Sequence, residues 1–306
     1  MELVPEPGAL EARAWQQFCD LVRQGAGVSD MASADGSGML GATPADYAYL
    51  TGLVDHHRKN IIPFLVERCG IAGRSVLDVG SGTGGLSVAM IEAGAVAVTG
   101  VEPNLLNFEA SHWRKRAHRM DDRLRFLHVP DTSSLPFPDD TFDACVCNSV
   151  LHYVPGRRLR RRLLAEMHRV VKPGGLVIIS GSGNGLIPGG PHSSRWWVNL
   201  APDRAGRLGH SQGITYWEIQ RAFASLGASL VPPTGPDDRA LARWRRRVGA
   251  RGSAAPRRGA YQLAFAAYSL CEATLCRWID APIEAFMPYL ELAFRKDPVC
   301  GQRRAG

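Results

Sequence analysis

Between residues 75 and 180, short apolar runs alternate with stretches of helical periodicity at regular intervals. Residues 75–80 (SVLDVG), 95–102 (AVAVTGVE), 124–130 (LRFLHVP), 142–150 (FDACVCNSV) and 176–180 (LVIIS) read as strands. They are too continuously apolar to be half-exposed, and strands of that kind are covered on both faces, as in a parallel sheet. Residues 85–94, 104–119 and 157–170 carry apolar positions at helical spacing. The first of these helices closes on Gly94, which suits a left-handed C-terminal cap. In the last, Leu159, Leu163, Met167 and Val170 form the expected inward stripe, with the arginines outward. Strand and helix in alternation, joined by right-handed crossovers, predict a doubly wound, mostly parallel α/β sheet.

The flanks are looser. Residues 9–25 carry Leu10, Ala14, Phe18 and Leu21 at near-helical spacing, and 29–44 are rich in Gly, Ser and Asp. Residues 46–68 are helical, with Pro63 either kinking that helix or opening a second one. After residue 180 the Gly and Pro content is too high for regular structure up to 213, a stretch that also holds Trp196 and Trp197. A helix at 215–226 and a strand at 228–233 follow. An Arg-rich helix comes next, then 261–279, which is apolar nearly all round and predicts a buried helix or a subunit contact. Residues 289–296 alternate as a last strand. The expected organisation is a helical cap over 1–74, a core over 75–180, and a remainder over 181–306. Insertions at 181–215 and 235–285 in that remainder would wall an acceptor pocket.

Charge changes little in this picture. The net charge is +7, but residues 237–258 hold eight arginines against Asp237 and Asp238 and so account for nearly all of it. That is a local patch, not the domain-wide footprint of a nucleic-acid-binding protein. For the run 243–247 a solvated helix face is the simpler expectation, and an anion site its rival. The seven cysteines form no C-x-x-C pair, which argues for reduced, buried thiols and against a zinc site. No metal is expected. The N-terminus lacks a signal-peptide pattern and no apolar run is long enough to span a bilayer, so the expectation is a soluble, cytoplasmic protein with no membrane partner.

The chemistry lies in the turn after the first strand. Gly80, Gly82 and Gly85 satisfy G-x-G-x-x-G, a pattern that by itself would also suit a dinucleotide. Asp78, two positions ahead, decides between ligands. A carboxylate in that turn repels a diphosphate, whereas it attracts S-adenosylmethionine (SAM), which carries an ammonium and a sulfonium. Glu102 ends the next strand, 24 positions after Asp78, near the offset at which such folds place a ribose-binding acid. Asp131 follows the third strand and suits the adenine amino group, with Thr132 beside it. Its bland alternative is a turn-forming Asp ahead of Ser133 and Ser134.

The segments VLDVGSGTGG, GVEP, PDTSSLPFPDDTFDACVCNSVLHYV and LLAEMHRVVKPGGLVIIS resemble, in order, the motifs of class I SAM-dependent methyltransferases, most closely the type-11 methyltransferase group. The resemblance covers about residues 75–180. It implies a Rossmann-like sheet of seven strands with the last antiparallel, and SAM as cofactor with S-adenosylhomocysteine as product. It implies contacts to Asp78, Gly80, Ser81 and Gly82 around the methionine moiety, to Glu102 and the adjoining Pro103 around the ribose, to Asp131 and Thr132 around the adenine, and closure by Asn148. Ser81 stands where the family commonly has Cys, and Thr132 where Ala is usual.

Around this core, Tyr47 and Arg58 are candidates for the SAM carboxylate, within a His56-His57-Arg58 run whose other reading is a solvated helix face. His152, His192 and His210 are candidates for a general base, which a hydroxyl acceptor would need. A packed or solvent-facing histidine is the ordinary alternative for each. The expected activity is O- or N-methylation of a small-molecule acceptor of secondary-metabolite or saccharide type. A nucleic-acid or protein methyltransferase using residues 237–258 is the rival, but Asn148-Ser149-Val150-Leu151 lacks the Asn/Asp-Pro-Pro-aromatic motif of base-modifying enzymes. A SAM-fold protein that does not methylate is the third possibility. Residues 261–279 are the expected contact in a homo-oligomer.

Overall fold

The computed structural model describes residues 44–120, 122–187, 199, 212–250 and 258–298. The helix expected at 9–25 and Trp196 and Trp197 lie outside the described residues. Strands β1 (Ser75–Val79), β2 (Ala97–Glu102), β3 (Leu124–His128), β4 (Phe142–Asn148), β5 (Val171–Gly183), β6 (Ala228–Leu230) and β7 (Tyr289–Lys296) form one sheet in the order β3-β2-β1-β4-β5-β7-β6. β1 to β5 pair in parallel, and β7 runs antiparallel to both β5 and β6. The seven-stranded, doubly wound sheet with an antiparallel β7 is the one anticipated.

Its helices are α1 (Pro44–Asn60), α2 (Ile62–Glu67), α3 (Gly85–Glu92), α4 (Leu105–Ala117), α5 (Gly156–Val170), α6 (Tyr216–Ser225), α7 (Ala240–Ala250), α8 (Arg258–Ala273) and α9 (Leu275–Trp278). Pro63 sits in the first turn of α2, where its missing N–H costs nothing, so the chain makes two helices there. Neighbouring strand residues face opposite cores. Val76, Val98, Val146 and Ile178 pack with Phe64, Leu65 and Met90 of α2 and α3. Leu77, Cys145, Val177 and Ile179 pack on the other face with Leu163, Leu164 and Met167 of α5 and Phe223 of α6. Period-two strands buried on both sides explain the continuous apolar runs.

Three expectations need correction. In α5 the inward stripe is Arg160, Leu163, Leu164 and Met167, while Leu159 is 37% exposed. The spacing i, i+3, i+4, i+7 is better met from Arg160 than from Leu159. The guanidinium tolerates burial because it donates to the carbonyls of Val154 (3.1 Å) and Gly213 (3.3 Å) and to Gln212 Oε1 (3.0 Å).

Arg243 is likewise not on a solvated face. It is 2% exposed and is hydrogen-bonded to Glu291 of β7 (2.9 Å) and to Asp238. Asp238 also accepts from Arg68 Nε (2.8 Å), and Arg68 reaches Glu284 (3.1 Å). The Arg68 and Arg243 guanidinium groups lie 5.4 and 4.7 Å from the centroid of the Phe64 ring. This buried cluster ties the connection between β6 and β7 to the core beside α2. A small apolar cluster of Ala240, Cys276, Ile283 and Met287, flanked by Trp244 and Tyr268, packs within that connection.

The third concerns one of the two readings of residues 261–279, the buried helix, and leaves the subunit contact untouched. Leu263 is 75% exposed, Leu270 64% and Trp278 85%, so the segment is not a buried helix of the single chain.

Candidate cofactor and acceptor site

The chain leaves β1 through a turn that only glycine serves well. Gly80, Gly82 and Gly84 have φ of +68°, +54° and +79°, and a Cβ on Gly80 would stand 2.4 Å from Val150 Cγ2. The amides of Gly80 and Ser81 both donate to the Val101 carbonyl of β2 (2.9 and 3.0 Å), which holds the turn over the strand ends. α3 begins on Gly84 without a side-chain cap, leaving its first N–H groups and the positive end of its dipole unclaimed by any side chain. A Cβ on Gly82 would meet nothing within 4 Å, and the buried Ser81 hydroxyl has no hydrogen-bond partner among the described residues. Uncapped amides, open space and an orphaned hydroxyl together fit a ligand carrying a carboxylate and other polar groups.

Asp78 lies beneath this turn. It is 1% exposed, and its Oδ2 accepts from Ser87 Oγ of α3 at 2.6 Å. Burial pushes its carboxyl up to about 7, with the nearby Glu102 adding in the same direction and the Ser87 bond opposing. Glu102 is 5% exposed and binds the turn directly, accepting from Gly82 N at 2.8 Å, Asn104 N at 3.0 Å and Asn107 Nδ2 at 3.4 Å. Burial raises its carboxyl despite those donors. Pro103 follows, and its carbonyl accepts from His128 Nε2 at the end of β3 (3.1 Å).

Asp131 is exposed, accepts from Ser133 N at 2.8 Å, and is held below the usual carboxylate range by Ser133. That is the turn geometry anticipated as its bland alternative, with the Ser133 side chain as well as its amide engaging the carboxylate. Thr132 beside it is half-buried. Asn148 ends β4, with Oδ1 accepting from Ser180 Oγ at 2.9 Å. Ser149 after it has φ of +58°, a strained conformation that turns the chain out at the crevice between β1 and β4. Asp78, Ser81, Gly82 and Glu102 are therefore brought together, with Asn148 across the crevice and Asp131 farther along the same rim.

Arg58 does not join them. It is exposed and forks onto Glu92 (2.7 and 2.7 Å), with Asp55 as a second partner. Glu92 is the last residue of α3, whose seven steps from Gly85 carry it roughly 10 Å along the axis from the turn. The preceding residue, His57, takes the inward position instead. It is buried, with Nδ1 at 3.3 Å from where a Gly85 Cβ would stand. Burial, helped by His56 and Arg114, pushes its imidazole down to about 3, so it is neutral. The side chain of Tyr47 and the candidates His192 and His210 lie outside the described residues. His152 is buried, its ring 4.2 Å from that of Tyr153 and its carbonyl accepting from Gln212 N at 2.9 Å. Ser87 and Asn107 also touch the site acids, and neither stands in a spacing that would single it out in the sequence.

The segments after β5, before α6 and before β7 meet at the end of β5. Asn184 is fully buried, and its Nδ2 donates to the carbonyls of Ala285 and Met287 (both 2.9 Å). Asn199 donates to the Ile187 carbonyl (2.7 Å) and accepts from Gly213 N (2.9 Å). With Arg160 on Gln212 and Gly213, these bonds join the chain after β5, the start of α6 and the chain before β7.

An open, mostly parallel sheet with a glycine turn after β1, a buried acid closing β2 and an antiparallel seventh strand defines a nucleoside-binding α/β protein of methyltransferase type. Residues 77–179 match the family model described as a methyltransferase domain. The chain is 32% identical over 204 residues to an uncharacterized methyltransferase of Mycobacteroides abscessus, covering 62% of this chain and 68% of that one. It is 32% identical over 111 residues to a ubiquinone biosynthesis O-methyltransferase of Psychrobacter arcticus, covering 36% of this chain and less than half, 42%, of that one. A solved S-adenosylmethionine dependent methyltransferase from Mesorhizobium loti superposes with a TM-score of 0.49 at 18% identity, over 79% of this chain and 99% of that one. The chain belongs to the class I SAM-dependent methyltransferases and is an enzyme of that class.

Proposed function

We propose that this methyltransferase acts on a hydroxyl or amine of a small-molecule acceptor at the rim between β1, β4 and the end of β5. The observation that carries the reading is the junction at Asn184, where residues 184–187, 212–213 and 285–287 are hydrogen-bonded into one wall at the end of β5, on the same sheet edge as the glycine turn and separated from β1 by β4. Such a wall suits a compact acceptor, and the likeness to an O-methyltransferase of quinone biosynthesis points the same way. In this reading the insertions at 181–215 and 235–285 bound the acceptor.

SAM, when bound, supplies an electrophilic methyl on a sulfonium sulfur. Glu102 would accept from the ribose hydroxyls, Gly80, Ser81 and Gly82 with the uncapped start of α3 would hold the methionine moiety, and Asp78 would offset the ammonium charge. Pro103 would adjoin the ribose beside Glu102, Asp131 and Thr132 would border the adenine, and Asn148 would close the crevice. His152, on the turn after β4, is the candidate to take a hydroxyl proton. Proximity is the main contribution such a site makes, up to roughly 7–11 kcal/mol for well-oriented reactants.

Two of the eight arginines behind the rival reading of residues 237–258 are engaged within the fold, Arg243 in a buried cluster and Arg246 with Glu67 at 3.1 Å, which weakens that reading. No helix among the described residues is long and apolar enough to cross a membrane. The exposed Leu263, Leu270 and Trp278 leave 261–279 as the proposed contact of a homo-oligomer. Incubation with methyl-labelled SAM, followed by separation of small molecules from protein and RNA, tests the function. Label only in the macromolecular fraction would overturn it.

The carboxyl of Asp78, raised to about 7, links SAM binding to pH. The unfolded chain loses that proton near 4, so the ligand-free fold carries a contribution that is present at low pH and is lost as pH rises to about 7. A cationic ligand reverses the preference and expels the proton. SAM affinity is therefore expected to climb between pH 6 and about 7.5, by up to tenfold per unit below 7, and to fall again as the ligand's own amino group deprotonates near 8. Calorimetry in two buffers of different ionisation enthalpy should detect the released proton. Asp78→Asn should abolish the climb, and a flat wild-type profile would remove Asp78 from the role.

A further inference from the structure

The first two turns of α5 carry Arg157, Arg158, Arg161 and Arg162, all exposed, and no acidic residue stands in the first turn. At 100° per residue the four fall within an arc of about 140°, so they form one face. No hydrogen bond or ion pair to them is found among the described residues; Asp131 feels Arg162, and Glu166, four residues after Arg162, is itself taken up by Arg169 (2.7 Å) and the Leu135 amide (2.8 Å).

This arrangement opposes the helix that carries it. Cations at a helix N-terminus lie at the positive end of the dipole, and α5 has no side-chain cap to offset them. Arg157 with Arg161, and Arg158 with Arg162, are like charges at i, i+4, which destabilise a helix. Stability is given up here in the single chain, and an anionic surface laid against the face would recover it. The face is convex and all of one sign. A specific protein partner is normally registered by mixed charges, whereas an anionic bilayer asks only for one sign. Tyr153, 49% exposed, and Leu159, 37% exposed, lie on the turn before α5 and on its edge. Phosphate-binding arginines with an adjoining tyrosine and leucine match the headgroup and acyl boundary of a lipid layer.

We propose that this face of α5 docks the enzyme on anionic phospholipid, with the acceptor rim turned toward the surface. That no helix among the described residues spans a membrane does not bear on docking of this kind, which departs from the expectation of no membrane partner. α5 follows β4, so its N-terminus stands at the strand edge that holds the cofactor turn. On the same helix Arg160 holds Gln212 and Gly213 of the acceptor wall.

The test is co-sedimentation of the full chain with vesicles of phosphatidylcholine alone or with about a third phosphatidylglycerol, at near-physiological salt. Binding is expected only to the anionic vesicles and should weaken as salt rises. Each surface arginine contributes about fivefold, so Arg158→Gln/Arg161→Gln should weaken it about thirtyfold. The same double variant breaks both like-charge pairs and is expected to melt no lower than the wild type, which guards against misfolding. Equal binding to both vesicle types, no binding to either, or binding unchanged in the variant would overturn the proposal. So would arginine-dependent binding to heparin or RNA without binding to vesicles. None of these readouts needs methyl transfer, so the docking and the proposed function can fail separately.

Discussion

Arg243→Met is expected to lower the stability of the fold by about 3–5 kcal/mol, read as a fall in the midpoint of chemical denaturation. Arg243 is buried between Glu291 on β7 and Asp238 ahead of α7. Methionine roughly fills the space of the stem but supplies no donor, so Glu291 is left as a buried carboxylate without its guanidinium. Asp238 keeps Arg68 at 2.8 Å, which confines the largest penalty to the Glu291 side. Adding Glu291→Leu should recover a substantial part of the loss, because both charges are then gone and their desolvation with them. An unchanged midpoint in the single variant would show that the guanidinium is solvated and the cluster not formed.

Glu102→Ala is expected to weaken binding of S-adenosylhomocysteine about a hundredfold, equivalent to ~2.7 kcal/mol, because in the proposed site both charge-assisted acceptors for the ribose hydroxyls would disappear together. The same change frees Gly82 N, the amide that ties the turn to β2 at 2.8 Å, so part of the loss reflects a loosened turn. Glu102→Gln separates the two contributions. It keeps an oxygen for the Gly82 amide but removes the charge and replaces the oxygen that accepts from Asn104 N with a donor, and about a tenfold loss is expected. Calorimetric titration gives both affinities, and thermal melts of the ligand-free variants show whether the sheet is intact. A fall smaller than threefold for the alanine variant would take Glu102 out of the cofactor site.

How much was legible in advance follows the range of the interactions involved. The turn from Gly80 to Gly85 was readable because its main requirements are local, positive φ at Gly80, Gly82 and Gly84 and a helix beginning at once, whereas the tight approach of Gly80 to Val150 was not. The acids that close β1 and β2 were readable as a pair, since parallel strands of similar length bring their C-terminal ends to one edge. Their separate roles were not. Asp78 turned under the loop toward Ser87 while Glu102 bonded into it, and which way a carboxylate faces depends on strand phase against α3.

The arginines mark the limit most clearly. Arg160 and Arg243 look like their exposed neighbours in composition, and both are buried. Arg58 was offered to the cofactor, yet one step of helix, about 100° of rotation, gave that direction to His57.

By itself, the order of residues determined the doubly wound sheet, the position of the glycine turn and the edge at which ligands meet the chain. These follow from period-two and period-3.6 burial and from the freedom of glycine, which act over a few residues. Tertiary structure alone decided which charges are spent inside the fold and which remain on its surface. A guanidinium is satisfied by partners such as Glu291, 48 positions away from Arg243, and no local pattern reports where that partner will be.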